Sequence, residues 1–137
     1  MNSARPHPQS DERYAYIFVR QDLSLAQQIV QANHATMLMT SQTPGIGLPN
    51  LVVIGVPDKD ALDRVSRKLI FHKIRHYLYF EPDDYIGHSA IATVPITVEE
   101  KKVLSNYRLW KPTPGERRNP LGSSVGTPAP DSPVAQA

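Results

Sequence analysis

Gln27, Gln31 and His34 stand four and three residues apart within RQDLSLAQQIVQANHAT (20–36), a spacing that puts all three side chains on one face of a helix. Two amides and an imidazole offer hydrogen-bond donors and acceptors without a fixed charge. Such groups are costly to bury unpaired and ordinary to expose, so the face is either solvated or lines a site. Asp22 lies at its mouth, where it can also cap the helix. A second polar set, Glu81, Asp83 and Asp84 in EPDDYIGH (81–88), supplies carboxylates able to position a water molecule or take a proton.

Positive charge is concentrated elsewhere. Arg64, Arg67, Lys68, Lys73 and Arg75 fall within one short run, with His72 and His76 beside them. The run is either a solvated helix face or a patch that contacts phosphates. The net charge of +2 does not by itself point to nucleic acid. His72 and His76 straddle a helix-to-strand junction, so their spacing does not place them on one helical face and no metal site is expected. The absence of cysteine excludes disulfides, thiolate ligands and a Cys nucleophile. GIG at 45–47 is neither a P-loop nor a dinucleotide fingerprint, and no cofactor is expected.

These residues need elements to hold them. YAYIFVR (14–20) is rich in β-formers and apolar on both faces, which predicts a central strand. A helix follows over 24–41, capped by Ser24 or Asp22, with Leu25, Ile29 and Ala32 and the group Val30, Met37 and Leu38 at helical spacing. LVVIGV (51–56) is a second strand, and Asp58 caps a helix to about Phe71 that buries Leu62, Val65 and Leu69. IRHYLYF (74–80) and SAIATVP (89–95) are two more strands, with the acidic segment between them. Thr97 and Glu100 form a capping box for a last helix ending near Asn106, and YRLWK (107–111) returns to the body, with Trp110 as a packing anchor. The order predicts an α/β three-layer sandwich, a small four-stranded mixed sheet with helices on its faces.

Two of these segments carry a resemblance. VRQDLSLAQQIVQANHA is similar to the opening of the type II peptidyl-tRNA hydrolases, where a strand ending in Arg-x-Asp-Leu runs into a helix containing Lys-x-Ala-x-Gln-x-x-His-Ala. GHSAIATVPIT resembles that family's last strand, Gly-x-x-Thr-x-x-Ala-x-x-Pro. The likeness covers about residues 15–110 and looks like a divergent branch. It implies metal-independent hydrolysis, without a covalent intermediate, of the ester joining a peptide to tRNA. Anchored on His34-Ala35, the family's Gln falls on Gln31 and its Lys on Gln27. The Thr of its last strand falls on Ser89. Its loop Asp has no single counterpart among Glu81, Asp83 and Asp84, of which Glu81 is favoured because it leaves the third strand directly.

The resemblance therefore implies Gln27, Gln31, Glu81, Asp83 and Ser89 as catalytic candidates, with Glu81 or Asp83 positioning water and Gln31 and Ser89 touching the ester or oxyanion. Arg20, Asp22, His34, Arg67, Lys68, Lys73 and Arg75 are the candidates for holding tRNA, His34 in a supporting part. Because Gln27 lacks the charge of a lysine, a catalytically impaired tRNA- or nucleotide-binding protein on the same fold stands as the alternative. The partners implied are peptidyl-tRNA and a second copy of the chain.

The ends read differently. Residues 1–13 and 112–137 are rich in Pro, Ser, Gly and charge and are expected to be disordered, leaving 14–111 as the folded domain. No segment is apolar enough to span a membrane and the N-terminus has no apolar signal core, so a cytoplasmic protein is expected.

Overall fold

The computed structural model describes residues 12–113; the expectations for the two termini lie almost wholly outside that span. The elements are β1 (Tyr14–Arg20), α1 (Leu25–Gln42), β2 (Asn50–Val56), α2 (Lys59–Phe71), β3 (His76–Glu81), β4 (Gly87–Thr93) and α3 (Val98–Lys101), with short 3-10 turns at Asp83–Tyr85 and Lys102–Leu104. The four strands form one mixed sheet in the order β2-β1-β4-β3. β1 and β2 are parallel, while β4 runs antiparallel to both β1 and β3. β1, β2 and β3 therefore all end at the same side of the sheet, and the turns into α1 and α2 and the acidic segment gather there.

β1 lies inside the sheet and buries both of its faces, as its unbroken apolar run requires. Tyr16 and Phe18 point to the face covered by α2, where they meet Ile54, Leu62, Val65, Leu69 and Ile91. Ala15, Ile17 and Val19 point to the other face, against Ala35, Met39, Ala90 and Ala92. The two layers differ in bulk. Large side chains fill the α2 layer, whereas alanines dominate the α1 layer, so α1 can approach the sheet closely.

That closeness overturns the expected packing of α1. Its buried residues are Gln28, Gln31, Ala35 and Met39, while Ile29 and Met37 are 57% and 69% exposed and Leu25 is also exposed. The reason is hydrogen bonding. Gln28 donates to the Leu23 carbonyl at 2.8 Å and accepts from the Trp110 indole at 2.7 Å, and Gln31 is equally satisfied, so neither amide is buried without partners. Ser24 is the cap, accepting from the Gln27 amide at 3.1 Å.

On the other face α2 buries Leu62, Val65 and Leu69 as its spacing predicts, with Asp58 accepting from the Ala61 amide. The last helix is shorter than expected: after the Thr97–Glu100 capping box it tightens at Lys102 into a 3-10 turn. Residues 107–111 then cover the outer edge of β2, where the Trp110 amide donates to the Val53 carbonyl. Among the described residues no helix is long and apolar enough to cross a membrane.

Candidate functional site

A cleft of about 860 Å³ opens between α1, the end of β3 and the acidic turn. Gln27, Gln31 and His34 line it from the helix, and Tyr79, Glu81, Asp83 and Asp84 from the opposite wall. Two segments fifty residues apart in the chain thus form one surface. Glu81 belongs to the strand rather than to the loop, as the last residue of β3. Because strand side chains alternate, Tyr77, Tyr79 and Glu81 share the face that α1 covers.

Gln31 is the centre of the polar network and is only 1% exposed. Its Nε2 donates to Glu81 Oε1 and to Gln27 Oε1, both at 2.9 Å. Its Oε1 accepts from Ser89 Oγ at 2.6 Å. The second oxygen of Glu81 accepts from the Asp83 amide at 3.2 Å, so one buried carboxylate is fixed at both oxygens. These bonds also fix the direction of the Gln27 amide: its oxygen turns toward Gln31, leaving Nε2 as a donor for the cleft.

Ser89 reaches Gln31 because of a β-bulge. Tyr79 pairs with Ala90 but Phe80 pairs with His88, which leaves Ser89 as an extra residue in β4. Regular alternation would send Ser89 to the α2 face, with Ile91. The bulge instead puts Ser89 and Ala90 on the α1 face, while His88 faces Asp63 of α2 at 3.7 Å. Re-aiming a side chain is what such an insertion does. Ser89 is fully buried, so it does not reach the cleft surface where direct contact with an ester was expected. Its hydroxyl orients Gln31 from behind.

Arg20 and Asp22 hold the wall in place. Arg20 donates through Nε and Nη2 to the two Asp22 oxygens at 2.9 and 3.0 Å, and through Nη1 to the carbonyls of Ile86 and His88 at 2.6 and 3.0 Å. Four of the five N–H groups of its guanidinium are committed to the protein itself, and the residue is buried. The turn it clamps is strained: Asp84 and Tyr85 both take positive φ, 55° and 57°, a conformation disfavoured for residues with a Cβ. Arg20→Met is expected to lower stability by roughly 1–3 kcal/mol by stranding the two carbonyls, measurable by urea denaturation.

His34 sits beside Glu81, with Nδ1 3.8 Å from Oε1. That distance is too long for a hydrogen bond, and Nδ1 is a buried atom with no partner among the described residues. The imidazole packs on the Tyr79 ring at 4.8 Å. The Tyr79 phenol is held above its ordinary pKa, first by burial and then by the Glu81 and Asp83 carboxylates. It stays a neutral donor on the cleft wall at neutral pH.

The basic residues are not brought to the cleft. Arg67 and Lys68 lie on α2, across the sheet, with Lys68 over the Tyr107 ring. Lys73 and Arg75 precede β3, at the end remote from Glu81, and Arg75 donates to the Tyr77 hydroxyl at 2.8 Å. Among the described residues the cleft lining contains no Lys or Arg, and no three His, Asp or Glu side chains form a metal-ligating group.

Tyr79 and Met37 also line the cleft, and neither stands out in the sequence as a lining position. The period of β3 carried the signal for Tyr79, two residues before Glu81. No protein-family model matches this chain, and a search of curated proteins found none that matches it.

Proposed function

We propose that the cleft hydrolyses the ester between an acyl group, aminoacyl or peptidyl, and the terminal ribose of tRNA. The observation that carries this reading is the double engagement of Gln31, which ties the Glu81 carboxylate at the cleft wall to the Ser89 hydroxyl buried behind it in one fixed array. The resemblance to type II peptidyl-tRNA hydrolases nominates the same residues independently of their contacts.

In this mechanism Glu81 orients a water molecule and takes its proton as the oxygen attacks the ester carbonyl. The oxyanion that develops is met by Gln27 Nε2, with the Tyr79 hydroxyl as a second donor on the wall. The tetrahedral adduct collapses with cleavage of the bond to the ribose oxygen, which receives the proton from Glu81. Water, acid and alcohol then balance, and no covalent enzyme intermediate forms. Gln31 and Ser89 hold the base and the donor in register, and His34 packs beside them.

The tRNA body requires cations outside the cleft. β3 is an edge strand, and the six residue steps from Arg75 to Glu81 extend about 20 Å at ~3.3 Å per residue. A single-stranded 3′ end laid along that edge would join the Lys73 and Arg75 end to the cleft. Lys73→Ala with Arg75→Ala is therefore expected to weaken tRNA binding and to reduce the slope of log K against log salt by roughly 2, with Arg67 and Lys68, on the α2 face, contributing less. A second copy of the chain is the other partner in this reading, and the exposed Leu25, Ile29 and Leu51 are apolar side chains that such contact would cover.

The decisive assay is release of labelled acyl group from aminoacyl-tRNA and N-acetyl-aminoacyl-tRNA by the purified protein with chelator present. Turnover of either ester, lost on replacing Glu81, supports hydrolysis. Tight tRNA binding without turnover of either overturns it in favour of a binding protein. The alternative of a nucleotide-binding cleft has less behind it, since a site for phosphates would be lined by cations.

A further inference from the structure

We infer that His34 is a further catalytic residue, which carries the proton from Glu81 to the ribose oxygen as the ester bond breaks. This role rests on the hydrolytic reading above and gives a path to its last proton transfer.

Among the described residues, His34 Nδ1 is the one buried side-chain nitrogen or oxygen without a hydrogen-bond partner. A native fold rarely keeps such an orphan without a function for it. The atom faces Glu81 Oε1 at 3.8 Å. An ionised carboxylate only accepts, and in a neutral imidazole one ring nitrogen is bare and also only accepts. Two acceptors facing each other stand apart, which accounts for a gap about 0.8 Å beyond ordinary hydrogen-bond length. A bare Nδ1 places the ring proton on Nε2. The side chain is 42% exposed although Nδ1 is buried, so the open edge of the ring, with Nε2, is the part that lines the cleft.

The surroundings keep this arrangement in place. The Tyr79 ring packs on the imidazole at 4.8 Å, while Gln31 and the Asp83 amide hold Glu81 at both oxygens. The charged groups of the lining are Glu81, Asp83 and Asp84, and α1 itself carries no Asp, Glu, Lys or Arg. Once Glu81 has taken a proton from the attacking water it becomes a donor, and Nδ1 is the acceptor beside it. A ribose alkoxide is strongly basic and needs a proton to leave. As the carbon–oxygen bond breaks, its electron pair stays on the ribose oxygen, which takes the Nε2 proton while Nδ1 takes the proton of Glu81. The carboxylate is restored and the ring is left protonated on Nδ1. It resets when Nε2 takes a proton from water and Nδ1 returns one to solvent through Glu81.

The test varies the leaving group. kcat/KM is measured for N-acetyl-leucyl-tRNA and for the p-nitrophenyl ester of N-acetyl-leucine, with the full chain and with His34→Gln, which keeps an amide donor but cannot pass a proton through. Nitrophenolate departs without a proton. His34→Gln is expected to slow the tRNA ester about 100-fold more than the nitrophenyl ester, a ratio that does not depend on the folded fraction. Glu81→Gln is expected to slow both alike, since both need the attacking water. A second measurement, nitrogen NMR of the imidazole in the resting protein, is expected to find the proton of the neutral ring on Nε2. Equal losses on the two esters in His34→Gln, or a neutral ring protonated on Nδ1, overturn the relay and leave hydrolysis standing. No turnover of the tRNA ester by the unmodified chain removes the hydrolytic reading, and the relay with it.

Discussion

Gln31→Leu is expected to lower turnover by about 10²- to 10³-fold while the protein still folds, the range seen when a preorganised polar group of an active site is removed. Leucine matches the volume but none of the three bonds. It leaves the Ser89 hydroxyl, wholly buried, without its acceptor and takes one of the two donors from the Glu81 carboxylate. The unfolding free energy is expected to fall by about 3 kcal/mol, the upper end for stranded buried polar groups, as read from urea titration. Gln28→Leu is the control. That amide is just as buried but binds the Leu23 carbonyl and Trp110, away from the cleft, so it is expected to cost stability while leaving turnover per folded molecule intact. Equal rate losses in the two variants would mean that Gln31 acts through general stability alone.

Glu81→Gln is expected to lower kcat by about 10²- to 10⁴-fold, the contribution of a positioned general base, with KM little altered. The substitution keeps the shape and one acceptor oxygen, so the loss would fall on chemistry rather than binding. Glu81→Asp keeps the charge but withdraws the carboxylate by one methylene from Gln31, and an intermediate rate is expected from the lost alignment. An amide variant with undiminished kcat would transfer the base role to another group, Asp83 being the nearest carboxylate along the chain.

Much of the architecture was legible because it rests on local rules. β1 reads as central from an apolar run with no polar face, and the structure buries both its faces. α2 reads from Leu62, Val65 and Leu69 and from Asp58, and those residues form its buried stripe and its cap. The order of elements and the four-stranded mixed sheet follow from the same signals. α1 was the failure. Apolar periodicity pointed to Leu25 and Ile29, yet the helix buries two glutamines, because partners supplied by β3, β4 and the chain near Trp110 satisfy them.

The sequence by itself determined that Gln27, Gln31 and His34 share a helix face, that carboxylates cluster after the third strand, and that the basic run lies apart from them in the chain. Helical spacing and strand period are local properties, so these statements needed no fold. Tertiary structure alone decided that the helix face and the carboxylates meet across one cleft, that Arg20 is tied to the wall of that cleft, and that Lys68 lies on the other side of the sheet. It also decided the place of Ser89, since the bulge that turns it toward Gln31 is a one-residue mismatch between two strands. Pairing register is a relation between segments, and neither strand carries it alone.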